Sequence, residues 1–307
     1  MYDTIIIGSG AAGLAAGLYA GRYRLKTLIV EGKFGGETAT AGTIENYPGI
    51  TAVDGYDLMK TMRAQAEGVG AMLKSGWVTK LEKKEDAFLV TINDKEVLET
   101  KTVIFAGGAE HRRLGLPREQ ELTGRGVHYC VTCDGPTYTG AKLIVVGGGD
   151  SAVKGVLLAA EYAEKIYMLV RGDKLRAEPI NFEHLKALGD MVEVIYDTEI
   201  TALVGEKMLE KVLLSKPYNG SIEFPIDGVF VEIGYEPKTA LAAALGVTLD
   251  AAKYIETDAM MRTNVLGLFA AGDTVNHFGH FKQDITAAAM GSVAATSAYE
   301  YVKSMKG

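Results

Sequence analysis

Two cysteines, Cys130 and Cys133, have the residue type and spacing that point most directly to chemistry. They are the only cysteines among 307 residues, and two residues separate them, so their sulfurs can come close enough to form a disulfide. In such a pair one thiol acts as the nucleophile, and the other resolves the mixed disulfide. Asp134 follows directly and can exchange a proton with a sulfur. The three residues predict a redox-active dithiol.

A metal site is the alternative for the same pair, because closely spaced cysteines also bind zinc. A four-ligand site needs two more ligands, and of the five histidines only His128 is near the pair in sequence. His277 and His280 form a HxxH pattern in a glycine-containing loop, and no carboxylate stands at a suitable spacing from them. We therefore interpret them as loop histidines and expect no metal.

A glycine-rich segment near the start of the chain predicts a nucleotide-binding turn. Gly8, Gly10 and Gly13 follow a strand-like run and open a helix-like stretch. The first glycine permits the tight turn, the second lets a pyrophosphate approach the backbone, and the third lets the helix pack on the strand. Glu31 ends the next strand, where a carboxylate can accept hydrogen bonds from ribose hydroxyls. An unrelated glycine-rich turn is the alternative, which the strand, helix and acid together disfavour.

The same pattern recurs in the middle of the chain, with Gly147, Gly149 and Ala152 in the equivalent places. Here Arg171, and not an acid, ends the following strand. An arginine suits a 2′-phosphate better than a 2′-hydroxyl and favours NADP over NAD. A solvated surface side chain is the other interpretation of Arg171. Near the C-terminus Asp273 follows an apolar strand and can hold a polyol hydroxyl, or can simply cap the next segment.

These motifs require strands and helices that alternate. Strand-like runs at 2–7 and 26–30 flank a helix-like stretch to residue 23, and runs at 142–146 and 165–170 flank one to about residue 162. Residues 112–117 and 235–238 are interpreted as the two segments of one hinge, at which the chain passes from one domain to the other and back. The predicted fold class is therefore α/β, with two Rossmann-like dinucleotide-binding domains and the second inserted into the first. The predicted domains are residues 1–113 with 238–307, and residues 114–237.

Composition excludes several classes of protein. Hydrophobic residues make up 48%, and glycine (37 residues) with little proline (7 residues) indicates tight turns and not disorder. The formal net charge is -7 without a Lys/Arg block, which argues against a nucleic-acid partner. No run approaches the roughly 20 apolar residues that span a bilayer. No export signal is recognisable in the sequence, so we expect no membrane association and a cytoplasmic location.

Further short segments complete a pattern that covers almost the whole chain. They are residues 35–38, 45–49, 124–127, 130–135, 147–152 and 270–273. With the motifs above, they resemble the low-molecular-weight thioredoxin reductases, which are FAD-dependent pyridine nucleotide-disulfide oxidoreductases of class II. The dithiol followed by Asp134 and Gly135, directly ahead of the second glycine-rich turn, is highly specific for that family.

The resemblance implies a homodimeric flavoprotein with FAD on residues 1–113 and 238–307 and a pyridine nucleotide on the domain between them. Cys133 is then the thiol nearest the flavin, Cys130 attacks the partner disulfide, and Asp134 is the acid and base. The residues implied for FAD are Gly8, Gly10, Ala11, Gly13, Glu31, Gly36, Glu37, Asn46, Val78, Gly107, Gly272, Asp273, Lys282 and Gln283. Those implied for the pyridine nucleotide are Gly147, Gly149, Asp150, Ser151, Arg171 and Arg176.

Electrons are expected to pass from the nucleotide to FAD, then to the cysteine pair, and finally to a thioredoxin-like or glutaredoxin-like protein. Three departures from the family pattern concern the donor and the flavin loop. Val170-Arg171-Gly172 replaces His-Arg-Arg, Lys154-Gly155 replaces a Glu pair, and Ala106-Gly107-Gly108 replaces Ala-Thr-Gly. NADPH is the expected donor, with NADH or another donor left open. The alternatives are a ferredoxin-linked enzyme, an oxygen-dependent dithiol oxidase and a flavin-binding module without turnover.

Overall fold

The computed structural model describes residues 1–279 and 281–305, so His280 of the HxxH pattern lies outside the described residues. The chain divides into two compact units. Unit 1 comprises Met1–Glu110 and Pro237–Gly307, and unit 2 comprises His111–Glu236. Which nucleotide each unit binds stays a prediction at this point.

The described residues form the following elements in chain order. The strands are β1 (Tyr2–Ile7), β2 (Thr27–Glu31), β3 (Thr43–Ile44), β4 (Val53–Asp54), β5 (Met72–Ser75), β6 (Val78–Lys84), β7 (Ala87–Ile92), β8 (Glu96–Phe105), β9 (Ala109–His111), β10 (Val127–His128), β11 (Lys142–Val146), β12 (Lys165–Leu169), β13 (Val192–Ile195), β14 (Ile200–Val204), β15 (Lys211–Tyr218), β16 (Ser221–Pro225), β17 (Gly228–Val231), β18 (Tyr235–Pro237) and β19 (Leu268–Ala270). The helices are α1 (Ala11–Arg22), α2 (Gly55–Gly68), α3 (Glu119–Leu122), α4 (Val131–Asp134), α5 (Asp150–Ala159), α6 (Pro179–Ala187), α7 (Ala240–Ala243) and α8 (Asp284–Ser304). None of the helices in the described ranges is both long enough and apolar enough to cross a lipid bilayer.

Unit 1 is built on a sheet with strand order β5-β2-β1-β8-β7-β6, and a seventh strand, β19, also pairs with β8. Strands β5, β2, β1, β8 and β19 pair in parallel, whereas β6, β7 and β8 form an antiparallel meander. Ile5 and Ile6 of β1 are fully buried, as expected for a parallel strand covered on both faces. The continuous apolar run in the sequence has this physical origin.

Helices α1 and α8 pack closely in unit 1 because both are rich in alanine and glycine. A Cβ atom at Gly291 of α8 would lie 2.0 Å from the carbonyl oxygen of Ala12. Only glycine permits this approach of the two backbones, which fixes the start of α1 against the C-terminal helix.

Unit 2 contains a parallel sheet with strand order β10-β17-β11-β12-β13 and a separate antiparallel sheet of β14, β15 and β16. Helix α5 follows β11, and β12 follows α5, so the predicted strand–turn–helix–strand unit is present. The α/β fold class with two Rossmann-like domains is therefore confirmed. Helix α5 ends at Ala159, three residues before the predicted end near residue 162. Strand β12 ends at Leu169, one residue before its predicted end.

The segment 235–238, interpreted from the sequence as a crossing between strands, is mostly a strand. Tyr235–Pro237 forms β18, which pairs with β9 in a two-stranded sheet. The ring of Tyr235 lies 4.5 Å from that of His111, centroid to centroid, so a side-chain contact accompanies the pairing. Short paired segments of this kind have no periodic pattern, which explains why the sequence did not indicate the strand.

Candidate redox and nucleotide-binding sites

The two cysteines of unit 2 form a disulfide, with 5.3 Å between their Cα atoms. Cys130 immediately precedes the short helix α4, and Cys133 lies within it. The Cys133 amide donates a hydrogen bond to Cys130 Sγ at 3.1 Å, so the turn itself holds the two sulfurs together. Cys133 is exposed and Cys130 is half-buried. The local backbone therefore brings together the two sulfurs of the predicted redox pair.

Asp134 faces a buried histidine that the sequence analysis considered only as a metal ligand. The Asp134 Oδ2 atom lies 3.0 Å from His128 Nδ1, and His128 Nε2 lies 2.8 Å from the Tyr138 hydroxyl. The His128 side chain is 7% exposed, whereas the Asp134 side chain is 40% exposed. No local spacing rule links these positions, because β10 and α4 bring them together through the turn at the cysteines.

A metal at this place has no support from the geometry. Among the residues that the structure describes, no group of three or more His, Cys, Asp or Glu side chains is arranged to hold a metal ion. His277, the described member of the HxxH pattern, is exposed and packs edge-on against Phe278.

The first glycine-rich turn has the shape that the sequence predicts. Gly8 has a φ of 108°, and a Cβ there would lie 2.2 Å from the Ala106 carbonyl oxygen. Helix α1 begins after Gly10 without a side-chain cap and without an acidic residue in its first turn. Its first amide groups are thus available to an anion such as a phosphate. Gly36 borders the same turn, because a Cβ added to it would lie 3.4 Å from Gly10 Cα.

Glu31 provides a direct test of whether unit 1 fits a dinucleotide. Its side chain is 7% exposed, and Oε1 accepts a hydrogen bond from Arg63 Nη1 at 3.0 Å. The other oxygen, Oε2, is buried and has no hydrogen-bond partner among the described residues. A buried carboxylate oxygen without a donor is costly, so this position suits a ligand that brings a hydroxyl group. A ribose diol of FAD would supply that donor.

Trp77 borders the same end of the site and was missed from the sequence. A Cβ at Gly32 would lie 2.5 Å from Trp77 Cε3, so the indole covers the backbone that follows Glu31. Trp77 is nevertheless 57% exposed, and Val78 after it starts β6. The signal in the sequence is a single tryptophan directly before Val78, which is a predicted cofactor residue.

The predicted flavin-side residues come together from distant parts of the chain. Asn46 Nδ2 donates a hydrogen bond to Gln283 Oε1 at 3.0 Å across 237 residues of sequence. Thr38 Oγ1 donates to Asp284 Oδ1 at 2.5 Å. Both contacts tie the loops of the N-terminal half to the start of α8. Asn46 is exposed and Gln283 is half-buried, so the pair borders solvent or a ligand.

Lys282, which stands where the family usually has arginine, is engaged by the protein itself. Its Nζ donates a hydrogen bond to the Val275 carbonyl and lies 4.2 Å from the centroid of the Tyr254 ring. Burial lowers the pKa of Lys282, and the carboxylates of Asp273 and Asp250 oppose this shift.

Asp273 lies directly after Gly272 at the end of β19, where the sequence predicts a polyol contact. Burial raises the pKa of Asp273, Lys282 lowers it, and the negative charges of Asp284 and Glu37 raise it further. Glu37 also accepts a hydrogen bond from Lys33 at 3.0 Å. A carboxylate held in this environment gains from a hydroxyl donor such as a polyol. Gly107 lies at the neighbouring end of β8, after Phe105.

The second glycine-rich turn repeats the geometry in unit 2. Gly147 has a φ of 143°, and a Cβ there would lie 2.2 Å from the Glu232 carbonyl oxygen. Gly149 immediately precedes α5, and a Cβ on it would meet nothing within 4 Å. The space beside Gly149 and the exposed Ser151 in the first turn fit a phosphate.

The Asp150 carboxylate, predicted to contact the nucleotide, is occupied by protein donors. It accepts hydrogen bonds from Asn181 Nδ2 at 2.8 Å and from the Glu178 amide at 3.1 Å, and Lys154 Nζ lies 3.1 Å away. Burial raises the pKa of Asp150, but these hydrogen bonds outweigh burial and lower it below the ordinary value. Its structural role is to connect α5 to the start of α6.

The two arginines predicted for a 2′-phosphate border this turn. Arg171 is exposed two residues after β12, and the Arg176 amide donates to the Gly148 carbonyl at 2.7 Å. Neither guanidinium has a hydrogen bond or ion pair with the described residues. Val170 is buried against the turn, because a Cβ at Gly148 would lie 2.7 Å from Val170 Cγ1. Gly172 has open space around it.

Comparisons with known proteins agree with this geometry. A family model described as pyridine nucleotide-disulphide oxidoreductase matches residues 2–292. The chain is 39% identical over 309 residues to a thioredoxin reductase of Listeria innocua, covering 100% of this chain and 95% of that protein. It is similar to the crystal structure of Lactococcus lactis thioredoxin reductase in the FR conformation, with a TM-score of 0.92, 35% identity, and coverage of 99% and 100%. It is also similar to the thioredoxin reductase structure from T. acidophilum, with a TM-score of 0.90, 31% identity and 99% of each chain covered.

Proposed function

Because the chain belongs to the pyridine nucleotide-disulphide oxidoreductase family, we propose that it is a thioredoxin reductase-like flavoprotein. It reduces a thioredoxin-like protein disulfide with electrons from a pyridine nucleotide. The observation that carries this proposal is the Cys130–Cys133 disulfide, which stands with Asp134 directly ahead of a complete second nucleotide-binding turn. Relatives that are named thioredoxin reductases, and that match over nearly their whole length, support it.

FAD, when bound, supplies two-electron transfer between the nicotinamide and the disulfide. Unit 1 contributes the binding groups. The amides at the start of α1 and Gly8, Gly10 and Gly13 receive the pyrophosphate, and Glu31 Oε2 accepts from the ribose. Asp273 accepts from the polyol chain. An unfilled acceptor supports the assignment of Glu31, an uncapped helix start supports that of the amides, and burial of the carboxylate beside other acids supports that of Asp273.

The dithiol chemistry belongs to unit 2. In the reduced protein the Cys130 thiolate attacks one sulfur of the partner disulfide, a new sulfur–sulfur bond forms, and the partner's other sulfur leaves as a thiolate. Cys133 then attacks Cys130, which restores the disulfide and releases the second partner sulfur. The first leaving thiolate takes a proton from Asp134. Asp134 regains a proton from the Cys133 thiol as that thiol attacks, and passes it to the second leaving sulfur. The assignment of Cys130 as the attacking thiol follows the family pattern.

NADPH is the proposed donor, with only a modest preference over NADH. Arg171 and Arg176 both lie next to the second glycine-rich turn, and neither guanidinium has a hydrogen bond or ion pair among the described residues, which supports a 2′-phosphate contact. Gly172 provides no third guanidinium, and no acid stands at the end of β12 to select a ribose hydroxyl. The homodimer, a glutaredoxin-like alternative partner and the cytoplasmic location stay predictions.

The test is anaerobic mixing of the purified protein with NADPH and, separately, with NADH. We expect a yellow protein with about one FAD per chain, since one FAD-type site is described, and rapid bleaching of the flavin absorbance by NADPH. Addition of oxidised thioredoxin should then restore the flavin absorbance. The flavin of the Cys130→Ser variant should be bleached by NADPH, but the variant should pass no electrons to thioredoxin. Absence of flavin contradicts the proposal. Absence of bleaching with both nucleotides favours a ferredoxin-like donor or an oxidase.

A further inference from the structure

His128 occupies a position in unit 2 that the dithiol chemistry above does not yet explain. It ends β10, two residues before Cys130, and its side chain is buried. A buried imidazole needs hydrogen-bond partners at both nitrogens. His128 has both, since Nδ1 faces Asp134 at 3.0 Å and Nε2 faces the Tyr138 hydroxyl at 2.8 Å.

The rest of the imidazole is enclosed by aromatic rings. Phe230 of β17 stacks on it with 5.3 Å between ring centroids, and Tyr138 packs against it edge-on at 5.3 Å. Both aromatic residues contact one another as well. The titratable groups that contact the imidazole nitrogens are Asp134 and Tyr138, and the Asp227 carboxylate acts on the Tyr138 hydroxyl. Burial raises the pKa of Tyr138, and Asp134 and Asp227 raise it further, so its hydroxyl stays a neutral hydrogen-bond partner.

Asp134 is more exposed to solvent than His128. The Asp134 side chain is 40% exposed and adjoins the exposed Cys133, while the His128 side chain is only 7% exposed. A proton held on His128 therefore reaches the exterior through Asp134. The ring cannot turn away from Asp134 without losing its contact with Tyr138.

We propose that His128 is the positioning residue of the dithiol site: it orients the Asp134 carboxylate and shares one proton with it, and Asp134 passes that proton to the partner's leaving thiolate. This inference rests on the proposed function. The proton balance is simple. Before attack the pair holds one proton, on the imidazole or on the carboxyl. When the partner disulfide breaks, the proton moves to the leaving sulfur, and neutral His128 and ionised Asp134 remain.

The leaving sulfur provides a test that a merely structural role cannot imitate. A cysteine thiol has an ordinary pKa of about 8.5, and it and other alkyl thiolates leave poorly without a proton, whereas an aromatic thiolate of low pKa leaves without one. The holoprotein is reduced chemically and freed of reductant. It is then mixed with hydroxyethyl disulfide, with 5,5′-dithiobis(2-nitrobenzoate), or with oxidised thioredoxin. Loss of protein thiols is followed by acid quench and alkylation.

His128→Phe keeps a ring against Phe230 and removes both nitrogens. We expect it to slow exchange with hydroxyethyl disulfide and thioredoxin by about tenfold or more, and with the aromatic disulfide by less than about twofold, because acid catalysis contributes about 10²–10⁴-fold where a proton is needed. His128→Asn retains a donor toward Asp134 but holds no exchangeable acidic proton, and it should stay slow with the alkyl disulfide. His184→Asn, on the exposed face of α6, is the matched control and should change neither rate.

The ratio of the two small-disulfide rates within one variant does not depend on the fraction that is correctly folded. Equal loss with both disulfides, or no loss with either, overturns the inference. Full recovery of the alkyl rate in His128→Asn overturns the shared proton. If the wild-type dithiol reduces none of the three disulfides, the proposed function itself fails, and this outcome is distinct from the others.

Discussion

At the residue scale, the chemistry of this protein depends on side chains that have no substitutes. Cys130 and Cys133 are the only cysteines, so no other thiol can replace either sulfur. Glu31 and Asp273 are acids whose surroundings disfavour an unsatisfied charge, by a missing donor in one case and by burial among acids in the other. Both carboxylates are therefore suited to accept hydrogen bonds from ligand hydroxyls.

The roles of the two cysteines can be separated by substitution. Either Cys→Ser change should reduce partner turnover to background, because the disulfide cannot form. In Cys133→Ser the attacking Cys130 has no resolving thiol, so a covalent complex with thioredoxin should accumulate on a non-reducing gel. Cys130→Ser should accumulate little complex. A complex that forms mainly with Cys130→Ser reverses the proposed assignment.

Asp273→Asn should raise the stability of the protein without FAD and weaken its binding of FAD. A raised pKa in the folded state means that the folded protein holds the proton more tightly than the unfolded chain, so stability falls as pH rises from the ordinary value of 3.8 through the raised pKa. Asparagine does not titrate. The variant without FAD should therefore unfold at a higher temperature than wild type at neutral pH, and the gain should vanish as the pH approaches 3.8.

The same change removes the proposed polyol acceptor, so FAD retention in dialysis should fall. Asp86→Asn in an exposed turn is the control and should alter neither property. A variant that is less stable at neutral pH, or that retains FAD as wild type does, speaks against this account of Asp273.

At the element scale, four of the predicted site residues lie at the carboxyl ends of parallel strands. Gly8 follows β1, Glu31 ends β2, Gly147 follows β11 and Gly272 follows β19. These positions could be predicted from the sequence because a strand–turn–helix unit is a local pattern. His128 and Trp77 could not, because their roles come from tertiary contacts with Asp134 and Gly32. The engagement of Asp150 by Asn181 likewise depends on α6, because Asn181 lies 31 residues further along the chain.

Gly172→Arg tests the donor preference at the end of β12. The position has open space, so a guanidinium fits without repacking. One added charged contact to a 2′-phosphate contributes about 1.5–3 kcal/mol, which lowers the NADPH KM by about tenfold or more. The NADH KM should stay nearly unchanged. Gly172→Gln, of similar reach without charge, is the control. An equal fall for both nucleotides excludes recognition of the 2′-phosphate here.

Restoring the family's histidine at position 170 is a poorer test than the sequence suggests. Val170 is buried against Gly148, so an imidazole there has to displace the turn or lose its hydrogen bonds. The missing histidine is thus a change in packing as well as in ligand contacts.

At the scale of the whole molecule, each unit has its own packed interior. Buried apolar residues of unit 1 form one core around β1 and α1, and those of unit 2 form one on each side of their parallel sheet. A ligand that binds one unit stabilises that unit by mass action.

Calorimetry with each ligand should therefore affect different parts of the unfolding profile. Excess FAD at about 1,000 times its Kd stabilises the folded site by about 4.1 kcal/mol and should raise the transition of unit 1. NADPH should raise the transition of unit 2. The control is Cys130→Ser, which leaves both nucleotide sites intact and should respond as wild type does. A single transition raised equally by both ligands shows that the units unfold together.

The position of Trp77 makes the intrinsic fluorescence of this protein informative. It is the only tryptophan in the chain, and its indole covers Gly32 beside the acceptor proposed for the ribose. Its emission therefore comes from one known place, and a bound flavin nearby would quench it by energy transfer. The chain carries an intrinsic fluorescent reporter of cofactor occupancy that needs no label and leaves both cysteines untouched.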